Sequence, residues 1–174
     1  GGNSPVPASR GGGAVYLVVG GETALFGTNS IVVDAAEQSQ GTGAGGSVYL
    51  RTGSLAGDGD IMATGGTSGA GGRIAVVLTT AGEDFAAFDV AGEMSAEAGN
   101  NTSGAGTIYR QTGDQYDSST RGELIVDAKG KDATDIHYAW DRSYEYYTPT
   151  RMPDGEDLNS YSQVTIRNKG LVEV

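Results

Sequence analysis

The chain has 174 residues, 30 of them glycine and none cysteine, with 22 acidic side chains against 11 basic ones for a formal charge of −11. That length suits one domain with a buried core, and the acidity argues against nucleic acid or an anionic membrane as partner, since both need a basic surface. The lack of cysteine removes disulfides and thiolate metal sites, no run approaches the roughly 20 apolar residues of a membrane span, and only four prolines with no three-residue glycine period rule out collagen.

Residues 1–13 are rich in Gly, Pro, Ser and Asn and read as an arm, a loop or the tail of a preceding unit. No signal peptide is visible, and a first residue Gly1 in place of Met marks the chain as processed or excised. From Ala14 a repeat sets in. Gly-Ala-Gly occurs at Gly43-Ala44-Gly45, Gly69-Ala70-Gly71 and Gly104-Ala105-Gly106, each time opening an apolar run, and Gly11-Gly12-Gly13 precedes an earlier run. With Val15, Val48, Ile74 and Ile108 as equivalents the spacings are 33, 26 and 34 residues, the range of solenoids and arrays.

First strands are predicted at 14–18, 47–51, 73–78 and 107–111, and second strands at 30–34, 60–63, 88–91 and 123–127. Each alternates with period two, as a strand with one buried face requires. The inward residues are Val15 and Leu17, Val48 and Leu50, Ile74, Val76 and Leu78, and Ile108 on the first face. On the second they are Ile31 and Val33, Ile61 and Ala63, Phe88 and Val90, and Leu124 and Val126. A two-strand unit cannot bury its apolar face alone, whereas equivalent strands stacked at roughly 4.8 Å bury a continuous column. The predicted fold is therefore all-β: a single-stranded parallel β-solenoid, right-handed as parallel crossovers almost always are, with glycine-rich corners where a Cβ has no room. Repeats span 14–130, an aromatic-rich insertion or cap 131–162, and final solenoid strands 163–174.

Two positions break the columns. Arg110 stands where Leu50 stands, so either the strand bulges or Arg110 lies at a coil end and finds a carboxylate. Outward tyrosines at Tyr16, Tyr49 and Tyr109 are interrupted by Ala75; they cover the sheet or form a sugar-binding stripe.

The insertion holds six of the thirteen aromatic residues and the only histidine, His137. Trp140, Tyr144, Tyr146 and Tyr147 could stack on sugar rings while Asp141, Arg142, Glu145 and Arg151 bond the hydroxyls; a small satellite core under a long loop explains the same cluster. Asp58 with Asp60, and Asp154 with Glu156 and Asp157, offer the hard oxygen ligands calcium takes, although neither matches the twelve-residue calcium loop or the nonapeptide repeat. Asn100-Asn101-Thr102-Ser103 contains two glycosylation sequons, meaningful only in a eukaryotic secretory context. No catalytic triad spacing, phosphate loop or carboxylate pair for glycoside hydrolysis is present, and a lyase would have only Arg51, Arg73, Arg110 and Lys129 on the repeats for charge neutralisation.

The succession Gly-Ala-Gly-Gly-Ser-Val-Tyr-Leu-Arg-Thr-Gly, then Gly-Asp-Gly-Asp-Ile-Met-Ala, then Gly-Ala-Gly-Gly-Arg-Ile-Ala, resembles the glycine-rich repeat regions of very large bacterial surface and secreted proteins, over about residues 11–130. The resemblance implies a β-solenoid and an extracellular or cell-surface bacterial setting rather than an activity; no cofactor is expected apart from calcium at the two acidic clusters. The expected function is a noncatalytic structural solenoid, either a module of an adhesin or a subunit assembling end to end through Val164, Ile166, Val172 and Val174 or the arm 1–10. Partners are then neighbouring modules or further copies, because uncapped solenoid ends recruit strand. The alternative is a carbohydrate-binding or polysaccharide-degrading β-helix, a fold analogy.

Overall fold

A computed structural model describes residues 10–28, 30–36, 43–89, 92–100, 103–116, 118, 121–131, 134–139, 142–147 and 149–173, with 134–139 and 142–147 as backbone. The protein is mostly β and rests on a largely parallel mixed sheet. Three strands follow one another in the first repeat, β1 (Ala14–Val18), β2 (Glu22–Leu25) and β3 (Ile31–Val32), and again in the second, β4 (Ser47–Thr52), β5 (Ser54–Gly57) and β6 (Asp60–Met62). The third repeat supplies β7 (Arg73–Leu78), a helical turn α1 (Ala86–Asp89) and β8 (Glu93–Ser95), and the fourth begins with β9 (Thr107–Gln111).

Like strands pair with like. Val15 lies beside Val48, Val48 beside Ile74 and Ile74 beside Ile108, all parallel. The pairs β2 with β5, β3 with β6, and β6 with β8 are parallel too. The first-strand equivalences predicted from the repeat are thus the register of the main sheet. Val48, Leu50, Ile74, Val76, Leu78 and Ile108 enter one core cluster, together with Leu55 from β5 and Ile61 from β6.

What lets the backbones approach is a column of glycines just before the first strands. A Cβ on Gly46 would overlap the carbonyl oxygen of Gly13, one on Gly72 that of Gly46, and one on Gly106 that of Gly72. Those same carbonyls accept the N–H groups of Ser47 at 3.0 Å, Arg73 at 2.9 Å and Thr107 at 3.1 Å. The column is a close-approach requirement, not a turn preference.

Four features correct the predicted elements. Short middle strands β2 and β5 lie in stretches read only as turns; they are four residues each and bracketed by glycine, so alternation has little room to show. In the third repeat the predicted strand 88–91 is replaced by α1, led into by a turn at Asp84, whose Oδ1 accepts the Ala86 N–H at 2.9 Å. Phe88 still points inward, fully buried, and α1 packs on β5; Val90 lies outside the described residues.

The third correction concerns β10 (Arg121–Asp127). It belongs to the main sheet and runs antiparallel to β9, with Ile125 opposite Ile108. Only residues 112–120, including the helical turn α2 (Gly113–Tyr116), separate the two strands, and parallel neighbours need a crossover of a dozen or more residues. Reversal also inverts the predicted facing. Ile125 joins the main core, while Val126 packs on the opposite side with Ala105, Ala128, Met152 and Val172.

The fourth is in the predicted insertion, which contains an antiparallel hairpin, β11 (Thr134–Ala139) with β12 (Arg142–Tyr147), then β13 (Thr150–Arg151) and a 3-10 turn at Leu158–Ser160. β14 (Tyr161–Arg167) then closes the main sheet parallel to β10, and β15 (Val172–Glu173) pairs with β13. The order in the main sheet is β1-β4-β7-β9-β10-β14.

The glycine column makes a sharp prediction. Gly72→Ala should destabilise the chain by about 3 kcal/mol, as overpacking against backbone does, whereas Gly20→Ala, where an added Cβ meets nothing within 4 Å, should be neutral or stabilise by up to about 1 kcal/mol. Urea unfolding of the two variants measures the contrast.

Candidate functional site

A strongly charged cavity lies where the parallel repeats end. It encloses about 340 Å³ and is lined by Asp89, Glu93, Arg110, Glu123, Lys129 and Arg167 with Gly92, Met94, Ile108 and Ile125. Arg110 is its centre. Its strand does not bulge: Arg110 keeps register with Val76 and so enters the aliphatic column. The guanidinium is 21% exposed and donates to both Asp89 oxygens at 2.8 Å and to Glu123 at 2.8 Å, and it lies 5.0 Å from the Phe85 ring centre. Its Nε is buried without a partner.

The sheet positions this pair. Arg110 and Glu123 are direct cross-strand partners in β9 and β10, and Asp89 ends α1. Burial works against the Arg110 charge, but Glu123 and Asp89 outweigh it and hold its pKa above the ordinary arginine value. Burial likewise pushes the Glu123 carboxyl up, and the hydrogen bonds from Arg110 and from Thr165 Oγ1 at 2.7 Å outweigh that and leave it below its ordinary value. Lys129 pairs with Glu93 across the rim.

Asp127, 3% exposed, is a second hub. It accepts from the Lys129 N–H at 2.9 Å, Arg167 Nε at 2.7 Å and Asn168 Nδ2 at 2.9 Å. Burial raises its pKa, yet Asn168, the Lys129 N–H and Arg167 together bring it below the ordinary aspartate value. The bonds clamp the turn after β10 to the turn after β14, where Lys129, Asn168 and Lys169 all have positive φ. Each charged residue lining the cavity, and Asp127 with them, thus has an opposite charge as partner, the arrangement of a fastening.

A groove of about 370 Å³ runs along the corners, floored by the three Gly-Ala-Gly segments and flanked by Ser47, Arg73, Thr107, Thr150 and Arg151. Thr150 Oγ1 donates to the Ala105 carbonyl at 2.5 Å and so anchors β13 at one end of that floor.

The predicted sites are scattered. Trp140 and Asp141 lie outside the described residues, and His137, Tyr144, Tyr146 and Tyr147 sit on the β11–β12 hairpin, where His137 is registered with Tyr144 and Tyr146 with Asp135. Asp58 Oδ1 accepts the Gly27 N–H at 2.6 Å and stitches the first repeat to the second, while Asp60 begins β6 beside Glu93. Glu156 pairs with Arg121 and accepts from the Tyr161 hydroxyl at 2.9 Å; Asp157 caps the 3-10 turn through the Asn159 N–H at 3.0 Å, and Asp154 is exposed in the preceding turn. Among the described residues no three carboxylates or histidines converge as metal ligands would.

Of the assembly residues, Val164 and Ile166 pair with Leu124 and Val126, Ile166 is exposed, Val172 packs in the second cluster, and Val174 lies outside the described residues, as does the arm before Arg10. The tyrosine column also divides. Tyr16 and Tyr49 stack at 5.0 Å and 9°, using their ring faces on one another. Tyr109 meets Tyr161 edge-on at 6.1 Å and accepts the Gly122 N–H at 2.9 Å, so it braces the closing strands.

Sequence reasoning found Arg110 and missed Asp127 and Glu123. Both escape it because the predicted alternation of β10 puts Leu124 and Val126 inward, whereas Ile125 faces the main core and Glu123 and Asp127 alternate onto its side. No family model matches the chain, and neither a similar curated protein nor a similar solved structure was found.

Because the folded-state pKa values of Glu123 and Asp127 are depressed, the stability they contribute is fully present above their unfolded values near pH 4 and is lost as pH falls through the folded ones. Urea midpoints should therefore drop on acidification below about pH 4, and Asp127→Asn should lower the neutral midpoint and flatten that acid limb. Arg110→Ala, which strands Glu123, should cost about 2–3 kcal/mol, measured the same way.

Proposed function

We propose that the chain is a noncatalytic structural module: a single-stranded parallel β-solenoid, right-handed, from an extracellular or cell-surface bacterial protein of the glycine-rich repeat type. The observation that carries this reading is the four-level parallel register through Val15, Val48, Ile74 and Ile108, accompanied at two or more levels by the middle and third strands. A chain that passes through three sheets in turn and then returns to the first is winding in coils, and each coil buries its neighbour's apolar face. The glycine column sets how closely the coils pack.

A rod-forming role follows from that geometry. Parallel coils share load through successive rows of backbone hydrogen bonds, and the paired charges at Arg110 and Asp127 fasten the far end. The charged cavity is framed by side chains already paired with opposite charges, which favours a scaffold over a catalyst. The carbohydrate reading would draw on the outer face of Tyr16, 74% exposed.

Force spectroscopy tests the proposal. Stretched between its termini, the full chain should yield in steps of one coil, releasing roughly 90–120 Å of contour for 26 to 34 residues. A single featureless extension, or a glycan-array signal abolished by Tyr16→Ala, would instead favour a carbohydrate-binding surface.

A further inference from the structure

The two ends of the stack are built differently. At the far end the main sheet is closed by the antiparallel β10, by β14, and by the Arg110 and Asp127 fastenings. At the near end β1, β2 and β3 are the outermost strands of their sheets. The Ser47 N–H bonds the Gly13 carbonyl and the Val19 N–H bonds the Arg51 carbonyl. By the alternation of a parallel ladder, the N–H and C=O groups of Ala14, Tyr16 and Val18 therefore point away from β4.

Three columns stop at this edge. The aliphatic column that is fully buried at Leu50 and Val76 is 39% exposed at Leu17, and Val18, Phe26 and Val32 are more exposed still. The tyrosine stack runs from Tyr49 to Tyr16 and ends with an open ring face. The glycine column is the most telling. At Gly46, Gly72 and Gly106 the glycine is required because the preceding coil's carbonyl occupies the Cβ position, yet at Gly13 an added Cβ meets nothing within 4 Å. Gly21 repeats the pattern: its partner Gly53 lies against the Gly21 carbonyl, while Gly21 itself has open space. Gly13 and Gly21 thus lack the close backbone neighbour that their register equivalents Gly46 and Gly53 have.

We infer that the open edge of β1, β2 and β3 is a docking face for one further coil of this same repeat, joined on the N-terminal side and stacked parallel and in register over Gly13. The inference rests on the solenoid reading above. A second copy of the chain stacked in the same sense cannot supply that coil through its main sheet, because the edge it would present to β1 is β14, which runs parallel to β10 and hence opposite to β1. It would meet β1 only in antiparallel fashion, with carbonyls spaced differently over Gly13.

The test inserts a copy of residues 46–71 between Gly12 and Gly13 of the full chain, a junction that repeats the natural one between Gly71 and Gly72. Hydrogen exchange is then read at Ala14, Tyr16 and Val18. These amides should exchange rapidly in the unextended chain and at least about tenfold more slowly in the extended one. Gly13→Ala should leave the unextended chain's urea midpoint unchanged but abolish the protection in the extended chain.

Unchanged exchange after insertion, or protection that survives Gly13→Ala, would overturn the inference. So would protection of the unextended chain that grows with protein concentration, which would assign the edge to a second copy. Gly46→Ala in the unextended chain separates the two levels: a silent result there would sink the solenoid reading itself, whereas a lowered midpoint leaves the docking claim to stand or fall on its own.

Discussion

The structure depends on one steric condition, that the backbone of each repeat can come within hydrogen-bonding distance of the one before it at the same place. Gly46, Gly72 and Gly106 satisfy it by having no Cβ where the neighbouring carbonyl lies. Once the corners are in contact, the following strands have no freedom of register. Each β-branched residue two positions on, Val48, Ile74 and Ile108, falls beside its equivalent. A slip of one residue would turn every inward aliphatic outward, so apolar burial reinforces what the glycines begin. The entropy that 30 glycines lose on folding is offset by repeated ladders and a shared core.

Ending such a stack requires different chemistry. The short link after β9 forces reversal, and the reversed strand brings Glu123 opposite Arg110. A cation in an aliphatic column would be costly alone; between Asp89 and Glu123, and against the Phe85 ring, it becomes a polar plug over the last apolar layer. Asp127 then ties the turns beyond the sheet together. The near end has no counterpart among the described residues, and its exposed Leu17 stands at the open end of the column that Arg110 terminates at the other.

Much of the parallel architecture was legible because the repeat imposes its period on residues that physics reads strongly: glycine at close approaches and β-branched residues on a pleated face. The spacing from Val15 to Ile108 gave true neighbours for this reason. The middle strands β2 and β5 were illegible because four residues carry too little alternation. At α1, a short helical turn entered through the Asp84 turn buries Phe88 where the pattern read as strand. At β10, both faces of the strand are apolar, Ile125 toward one core and Val126 toward the other, so alternation could not choose its facing. The site was less legible than the fold, since Glu123 meets Arg110 only because β10 reverses, and both Glu123 and Asp127 take further partners some 40 residues away, on β14 and in the turn after it, which spacing does not reveal.

The most direct measurement is the pattern of interstrand amide contacts across β1, β4, β7 and β9 by nuclear Overhauser spectroscopy on the full chain. Parallel in-register stacking predicts contacts that link Val15 to Val48, Val48 to Ile74 and Ile74 to Ile108, with none reversed in direction. Contacts placing Val48 and Ile74 on antiparallel neighbours, or displaced by one residue, would contradict it.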